Sequence, residues 1–171
     1  MVDRVDFLNG RARVSLSELS DWELQVVREF IEWMWDNLGK WLNRYREEGY
    51  EGYDPRVQRL YLQRDTLWEF VRRVAELNCS ELKVKRLLAR LGILMYKENG
   101  GVCQYVMSVR VRKDKRKSDI VSVSAYVVDV EWAIEVGDEL RDEIVRRERV
   151  RELKESEVSR IQITEPDDLP F

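Results

Sequence analysis

Apolar residues along this chain change their period twice, and that limits the fold more than any single motif does. Val27, Phe30, Ile31, Met34, Leu38, Trp41, Leu42 and Tyr45 recur at three- and four-residue steps, the spacing of one face of a helix. In Ser108-Val109-Arg110-Val111-Arg112 and Ser122-Val123-Ser124-Ala125, apolar and polar residues alternate, as in a strand with one buried face. Helical spacing returns in Trp132, Val136, Leu140, Ile144, Val150 and Leu153. The expected class is therefore α+β, with about four helices packed on a small three- or four-stranded antiparallel sheet. The last helix leads into a disordered acidic tail. The chain has 171 residues, enough for one domain that buries roughly 70% of its unfolded surface.

Turn and cap residues divide this pattern. Residues 1–15 read as a short extended or mobile lead. Ser17 or Ser20 can cap the first helix, and Glu23 completes a capping box with Ser20. Trp35 extends the apolar stripe of this helix, whereas Trp33 lies off it with Val26 and Leu19. The helix is thus apolar over more than half its circumference, so it either sits deep or offers a second face. Gly49, Gly52 and Pro55 end it. Asp54-Pro55 reads as the cap and first turn of a second helix reaching Leu77. That helix would turn Val57, Leu60, Tyr61, Leu67, Trp68, Val71 and Val74 to the core. Asn78 suits a left-handed turn. Ser80 caps a third helix through Leu91, buried along Val84, Leu87, Leu88 and Leu91. Gly92 ends it. Segments 93–97, 102–112 and 119–128 read as strands, with Asn99-Gly100-Gly101 as a tight turn. Lys113-Asp114-Lys115-Arg116-Lys117 forms an exposed basic tip. A last helix runs from about Glu131 to Glu157, so residues 1–157 are expected to form the domain and 158–171 the flexible tail.

Several chemistries lack their residues. The chain has no histidine, the commonest general base and zinc ligand. It has neither a Walker loop nor a GxGxxG. Glu81-Leu82-Lys83 has the ExK form of some nucleases but falls on a helix. A binding protein without catalysis, metal or cofactor is expected. No run approaches the ~20 apolar residues of a membrane span, and Asp3, Arg4 and Asp6 break any signal-peptide pattern. The expected location is cytoplasmic. Cys79 and Cys103 read as small apolar residues, and their spacing leaves a disulfide open. Charged residues make up 37% of the chain, a content common among hyperthermophile proteins.

The net charge of −3 hides a segregation. Residues 79–128 hold eleven Lys and Arg against four Asp and Glu, and residues 129–171 hold seven against fourteen. A basic middle beside an acidic end suits nucleic acid better than the total suggests. Lys83, Arg86 and Arg90 share one side of the third helix, with Lys85 beside them. Arg110 and Arg112 alternate along a strand. The loop around Tyr50, Gly52 and Tyr53 adjoins Arg56 and Arg59, and neither tyrosine has an evident core role. Trp41 and Trp68 read as core. Trp33, Tyr50 and Tyr53 are the candidate platforms for stacked bases, in a cleft against the basic sheet. Arg56, Arg59, Lys83, Arg86, Arg90, Arg110 and Arg112 are the candidate phosphate contacts.

Three resemblances bear on this reading. The order helix, short turn, helix and then two β-turns resembles a winged helix-turn-helix. Leu77, Asn78, Cys79, Val84 and Leu87 match the spacing of its turn and core positions, although Val74 stands where the motif has Ala. The resemblance implies Lys83, Arg86 and Arg90 in a major groove and Lys113 to Lys117 as a wing. The tip Glu165-Pro166-Asp167-Asp168-Leu169-Pro170-Phe171 resembles the C-terminal end of bacterial single-stranded DNA-binding proteins. There the aromatic ring docks in a partner's apolar pocket and the carboxylates meet basic residues at its rim, which implies that Asp167, Asp168, Leu169 and Phe171 recruit a replication or repair protein. Trp-rich helices, a small basic antiparallel sheet and a charged C-terminal helix look like the ThermoDBP family, non-OB single-stranded DNA-binding proteins of hyperthermophilic archaea. That likeness implies sequence-independent binding in a cleft and a homodimer through the C-terminal helix, whose apolar stripe Arg147 interrupts here.

The expected function is sequence-independent binding of single-stranded DNA in replication or repair, with partners recruited through the tip. The alternative is a winged-helix regulator of transcription on duplex DNA. A third reading is an adaptor that binds only protein. Nothing in the residues separates DNA from RNA, since none identifies a contact to a 2′-hydroxyl.

Overall fold

Ser20 opens the first long helix as its spacing predicts. In the computed structural model, which describes residues 15–48, 51–77, 79–112 and 120–164, the Ser20 amide donates to Glu23 Oε1 at 3.0 Å. The Glu23 amide returns a bond to Ser20 Oγ at 3.4 Å. Helix α1 spans Asp21–Glu48 and is preceded by a 3-10 turn, Leu16–Glu18. Val26, Val27, Phe30, Trp33, Met34 and Trp41 are all buried, while Arg28, Glu32, Asp36 and Lys40 are exposed, so α1 packs a broad apolar face on the core and turns the other to solvent. Trp35 departs from the expectation: it is 60% exposed.

The expected second helix starts late. Residues that read as its first half form a hairpin instead, β1 (Gly52–Asp54) and β2 (Arg59–Leu62). Helix α2 occupies only Arg64–Arg73, followed by a 3-10 turn, Ala75–Leu77. Leu60, Tyr61 and Leu62 are buried in succession. An interior strand covered on both faces can bury such a run, which a helix with one buried stripe cannot. Asp54-Pro55 therefore starts a turn rather than a helix, and that turn closes with Gln58 at φ 52°. Val57 is 52% exposed in it. Trp68, expected in the core, is 44% exposed on α2.

Helix α3, Glu81–Arg90, matches its expectation. The Ser80 side chain accepts from the Lys83 amide, Val84, Leu87, Leu88 and Leu91 are buried, and Gly92 leaves the helix at φ 77°. Four further strands follow: β3 (Lys97–Asn99), β4 (Val102–Gln104), β5 (Val106–Arg112) and β6 (Ile120–Asp129). The main sheet has the order β1-β2-β6-β5, antiparallel throughout, and β3-β4 is a separate hairpin. Gly100 and Gly101, at φ 57° and 85°, make its tight turn.

The register shows how the second hairpin arises. Ile93 to Met95 pair with the end of β6: the Met95 amide donates to the Val127 carbonyl, and Leu94 bridges Val128. Val106 then takes the next partner, Tyr126. One edge of β6 is thus covered by a single broken strand, and residues 96–105 are a ten-residue excursion out of it. Tyr96 and Tyr105 close the base of the excursion with ring centroids 6.4 Å apart. Beyond Tyr126, β5 and β6 continue as a two-stranded arm that β2 does not accompany.

Strand β6 runs directly into helix α4, Val130–Thr164. Asp129 caps it, its Oδ1 accepting from the Trp132 amide at 3.1 Å. The Trp132 indole donates to the Leu91 carbonyl at 2.6 Å, tying α4 to the end of α3. Helix α4 passes the expected limit at Glu157, so residues 158–164 are helical rather than tail. Its inner face carries Ala133, Val136 and Leu140 into the core against α1. Residues 151–159 are all exposed.

Arg147 explains the break in the stripe. Its guanidinium donates to the carbonyls of Leu16, Ser17 and Leu19 at 3.3, 3.3 and 2.6 Å, and to Asp21 at 2.9 Å. It caps the 3-10 turn ahead of α1 rather than spoiling an apolar seam. Both cysteines are free, Cys79 buried and Cys103 exposed. Among the described residues no helix is long and apolar enough to cross a membrane, and no cluster of His, Cys, Asp or Glu could hold a metal.

Candidate nucleic-acid interface

The residues expected to form one cleft lie in separate places. Arg56 and Arg59 sit on the β1–β2 hairpin, at the opposite edge of the sheet from β5, which carries Arg110 and Arg112. Sheet order, which no local pattern reveals, keeps them apart. The side chains of Arg110 and Arg112 lie outside the described residues, as do Tyr50, the Lys113–Lys117 tip, and the tip residues Asp167, Asp168, Leu169 and Phe171.

Trp33 is a correction. It is 7% exposed, edge-on to Trp41 at 4.9 Å and tilted against Phe70 at 5.3 Å, so no base can stack on it. Helix α2 brings Phe70 over the side of α1 that the sequence leaves unassigned. Tyr53 is half-buried and packs against the same core. Burial, with Asp54 beside it, raises its phenol. The Arg56 side chain is mostly exposed, yet Asp54 Oδ1 accepts from its Nε at 3.3 Å and from the Arg56 backbone amide at 3.1 Å. Burial would push the Asp54 carboxyl up. Arg56 and the Tyr45 hydroxyl, 3.0 Å away, outweigh it and leave the group below its ordinary value. Arg59 stands opposite Asp129 in the β2–β6 register. The loop cations thus stabilise a hairpin that already contains carboxylates.

The α3 cations do converge. On this ten-residue helix the exposed residues are Leu82, Lys83, Arg86 and Arg90. At 100° per residue they occupy a single arc of about 100°. The remaining circumference is taken up: Val84, Leu87, Leu88 and Ala89 enter the core, and Lys85 turns toward the sheet. Lys83 Nζ lies 6.0 Å from the Trp22 ring at the start of α1. Behind the arc, α3 packs against α2, the helix that precedes it. Of the positions that carry the winged-helix resemblance, Cys79, Val84 and Leu87 are buried, Leu77 is half-buried and Asn78 lies outside the described residues; Val74, where the motif has Ala, is buried too.

A second cluster borders this arc, and sequence reasoning missed it. Lys85 Nζ stands 5.8 Å from the Tyr105 ring and 5.4 Å from the Tyr126 ring. It is also 3.7 Å from Glu81 Oε1. The Tyr126 hydroxyl donates to Glu81 at 3.4 Å, and Arg64, at the first position of α2, reaches the same carboxylate at 3.9 Å. Burial and the neighbouring Cys103 raise the Tyr105 phenol, opposed by the Arg86 guanidinium. Lys85, with a side chain only 17% exposed, is a positioning residue that holds Tyr105 against α3. One sequence signal was available: Tyr96 and Tyr105 stand symmetrically about Gly100-Gly101, as expected for a ring pair at the foot of a hairpin. No protein-family model matches the chain, and no curated protein or solved structure matches it.

Proposed function

We propose that this protein binds duplex DNA, with α3 in the major groove and the β5–β6 tip on the backbone. The observation that carries the reading is the α3 arc, where three cations and Leu82 form the whole exposed face of a helix whose other residues are buried or half-buried. A helix of ten residues is about 15 Å long and enters a groove about 12 Å wide. Arg64, with a 79% exposed side chain at the first turn of α2, adds a phosphate contact where a helix N-terminus favours anions. Most of the acidic residues of the 129–171 segment belong to α4, a different element from this face.

One observation favours single-stranded DNA as a second reading. The half-buried ring of Tyr105 adjoins Lys85 and Arg86, with Tyr96 beside it, and rings beside cations are what stacked bases need. Under that reading the C-terminal tip recruits a replication or repair partner.

A fluorescence titration separates the two readings, using a mixed-sequence duplex and an oligo-dT strand, each at two salt concentrations. The expected result is tighter, salt-sensitive binding of the duplex. Arg86→Ala with Arg90→Ala should weaken it about tenfold or more and lower the slope of log K against log salt by about 2. Preference for oligo-dT, lost in Tyr105→Ala and kept in the arginine double variant, would replace the duplex reading with the single-strand one.

A further inference from the structure

We infer that the free edge of β5 accepts an extended acidic peptide, which joins the main sheet as one more antiparallel strand. Strand β5 is last in the sheet order and pairs only with β6. The ladder fixes which of its backbone groups are left over. On that side of β6 the Met95 amide donates to the Val127 carbonyl, and the Asp129 amide donates to the Ile93 carbonyl. On the opposite side, the Val130 amide donates to the Gln58 carbonyl. Bonding direction alternates along an antiparallel strand. Val121, Val123 and Ala125 therefore bond toward β5, to their register partners Val111, Val109 and Met107. The residues between, Ser108, Arg110 and Arg112, turn their amides and carbonyls outward. Among the described residues no backbone hydrogen bond meets them there. Strand β2 ends opposite Tyr126, so this stretch belongs to the two-stranded arm.

An edge of this kind is a template for another strand, and charge identifies the strand it takes. Arg110 and Arg112 hold two of the outward positions, and neither β5 nor its β6 partners from Ile120 to Tyr126 include a carboxylate. The β5 edge of a second copy would bring the same sign, and like charges across a ladder repel. An acidic strand brings the opposite sign. Residues directly opposite on paired strands share a face, so the fitting sequence alternates, acidic opposite Arg110 and Arg112 and apolar opposite Val109 and Val111. The edge uses no residue of α3, so the inference is independent of which nucleic acid the α3 arc takes.

Fluorescence anisotropy tests it on the full chain, with a labelled peptide as long as β5 that alternates Val and Glu. In an antiparallel pair the residue opposite a bonding residue also bonds, so the Glu amides are the ones that donate to β5. Methylating the Val amides instead stops the peptide pairing with itself, and this form should bind. The isomer methylated at its Glu amides should bind about tenfold more weakly or worse, having lost those hydrogen bonds. Ser108→Pro removes an outward amide without changing charge, at a kind of edge position that tolerates proline. It should weaken binding to a similar degree with an unchanged circular-dichroism spectrum. Arg110→Glu with Arg112→Glu should transfer the preference to a Val-Lys peptide. A wild-type chain that does not bind the Val-methylated peptide would overturn the inference. Equal binding of the two isomers would overturn it too, because charge attraction alone would then account for the affinity.

Discussion

At the scale of single residues, position matters more than type. The six tryptophans take three roles. Trp33 and Trp41 are core, Trp132 is a half-buried donor that joins two helices, and Trp22, Trp35 and Trp68 are between 42% and 60% exposed. Gly52 has a specific steric reason. It sits at φ 120°, and a Cβ there would run into the Trp41 carbonyl oxygen and approach the Tyr45 amide to 2.9 Å. Both of those are backbone atoms of α1 and cannot rotate away. Gly52→Ala is therefore expected to lower stability by about 2 kcal/mol or more, from backbone strain and overpacking together. Urea unfolding of the variant checks this, and a loss within ~0.5 kcal/mol, the range of an ordinary surface substitution, would contradict it.

At the scale of elements, the excursion from 96 to 105 is the least expected part. Met95 bonds to Val127 and Val106 pairs with Tyr126, consecutive positions on β6. The strand can therefore be rejoined without moving either side. Residues 97, 98 and 100–104 are exposed, and only Tyr96 and Tyr105 pack partly against the core. Joining Met95 directly to Val106 should leave a folded chain, less stable by about 1–3 kcal/mol for the two lost rings. Circular dichroism and thermal melting check it, and a chain that no longer melts cooperatively would show the excursion to be structural. The β1–β2 hairpin is the opposite case: its strand β2 lies between β1 and β6 and cannot be excised.

At the scale of the molecule, an ion network joins the two long helices. Glu143 pairs with Arg146 at 2.7 Å and with Arg147 at 2.9 Å, and Arg147 and Arg151 both reach Asp21 on α1. Hydrogen bonds from Arg146 and Arg147 hold the Glu143 carboxyl at about 2, against an ordinary 4.5. Asp21 and Asp54 are also lowered. Because these groups bind protons less readily when folded, their contribution is complete above the ordinary carboxylate range and disappears as pH falls toward about 2. The melting temperature should thus fall across that window. Glu143→Gln should melt lower at neutral pH and lose less on acidification. An equal loss in both proteins would show that the network does not contribute.

The sequence by itself determined what depends on neighbours along the chain. The caps at Ser20 and Ser80, the buried face of α3, the Asn-Gly-Gly turn and the α+β class all follow from spacing and turn chemistry, whereas the strand expected over 102–112 divides at Tyr105, with β4 pairing β3 and only β5 pairing β6. Only the tertiary structure decided which aromatic rings are covered, because covering is done by elements distant in sequence: Phe70 closes over Trp33, while among the described residues Trp68 stays 44% exposed. It decided that residues 59–62 are a strand, because a run buried on both faces has no period to read. It also decided the candidate site. The α3 cations converge because Lys83, Arg86 and Arg90 share one arc of the helix, a local property that the spacing already displayed. The loop and strand cations do not, because the strand order that parts them is set by long-range pairing, on which local spacing is silent.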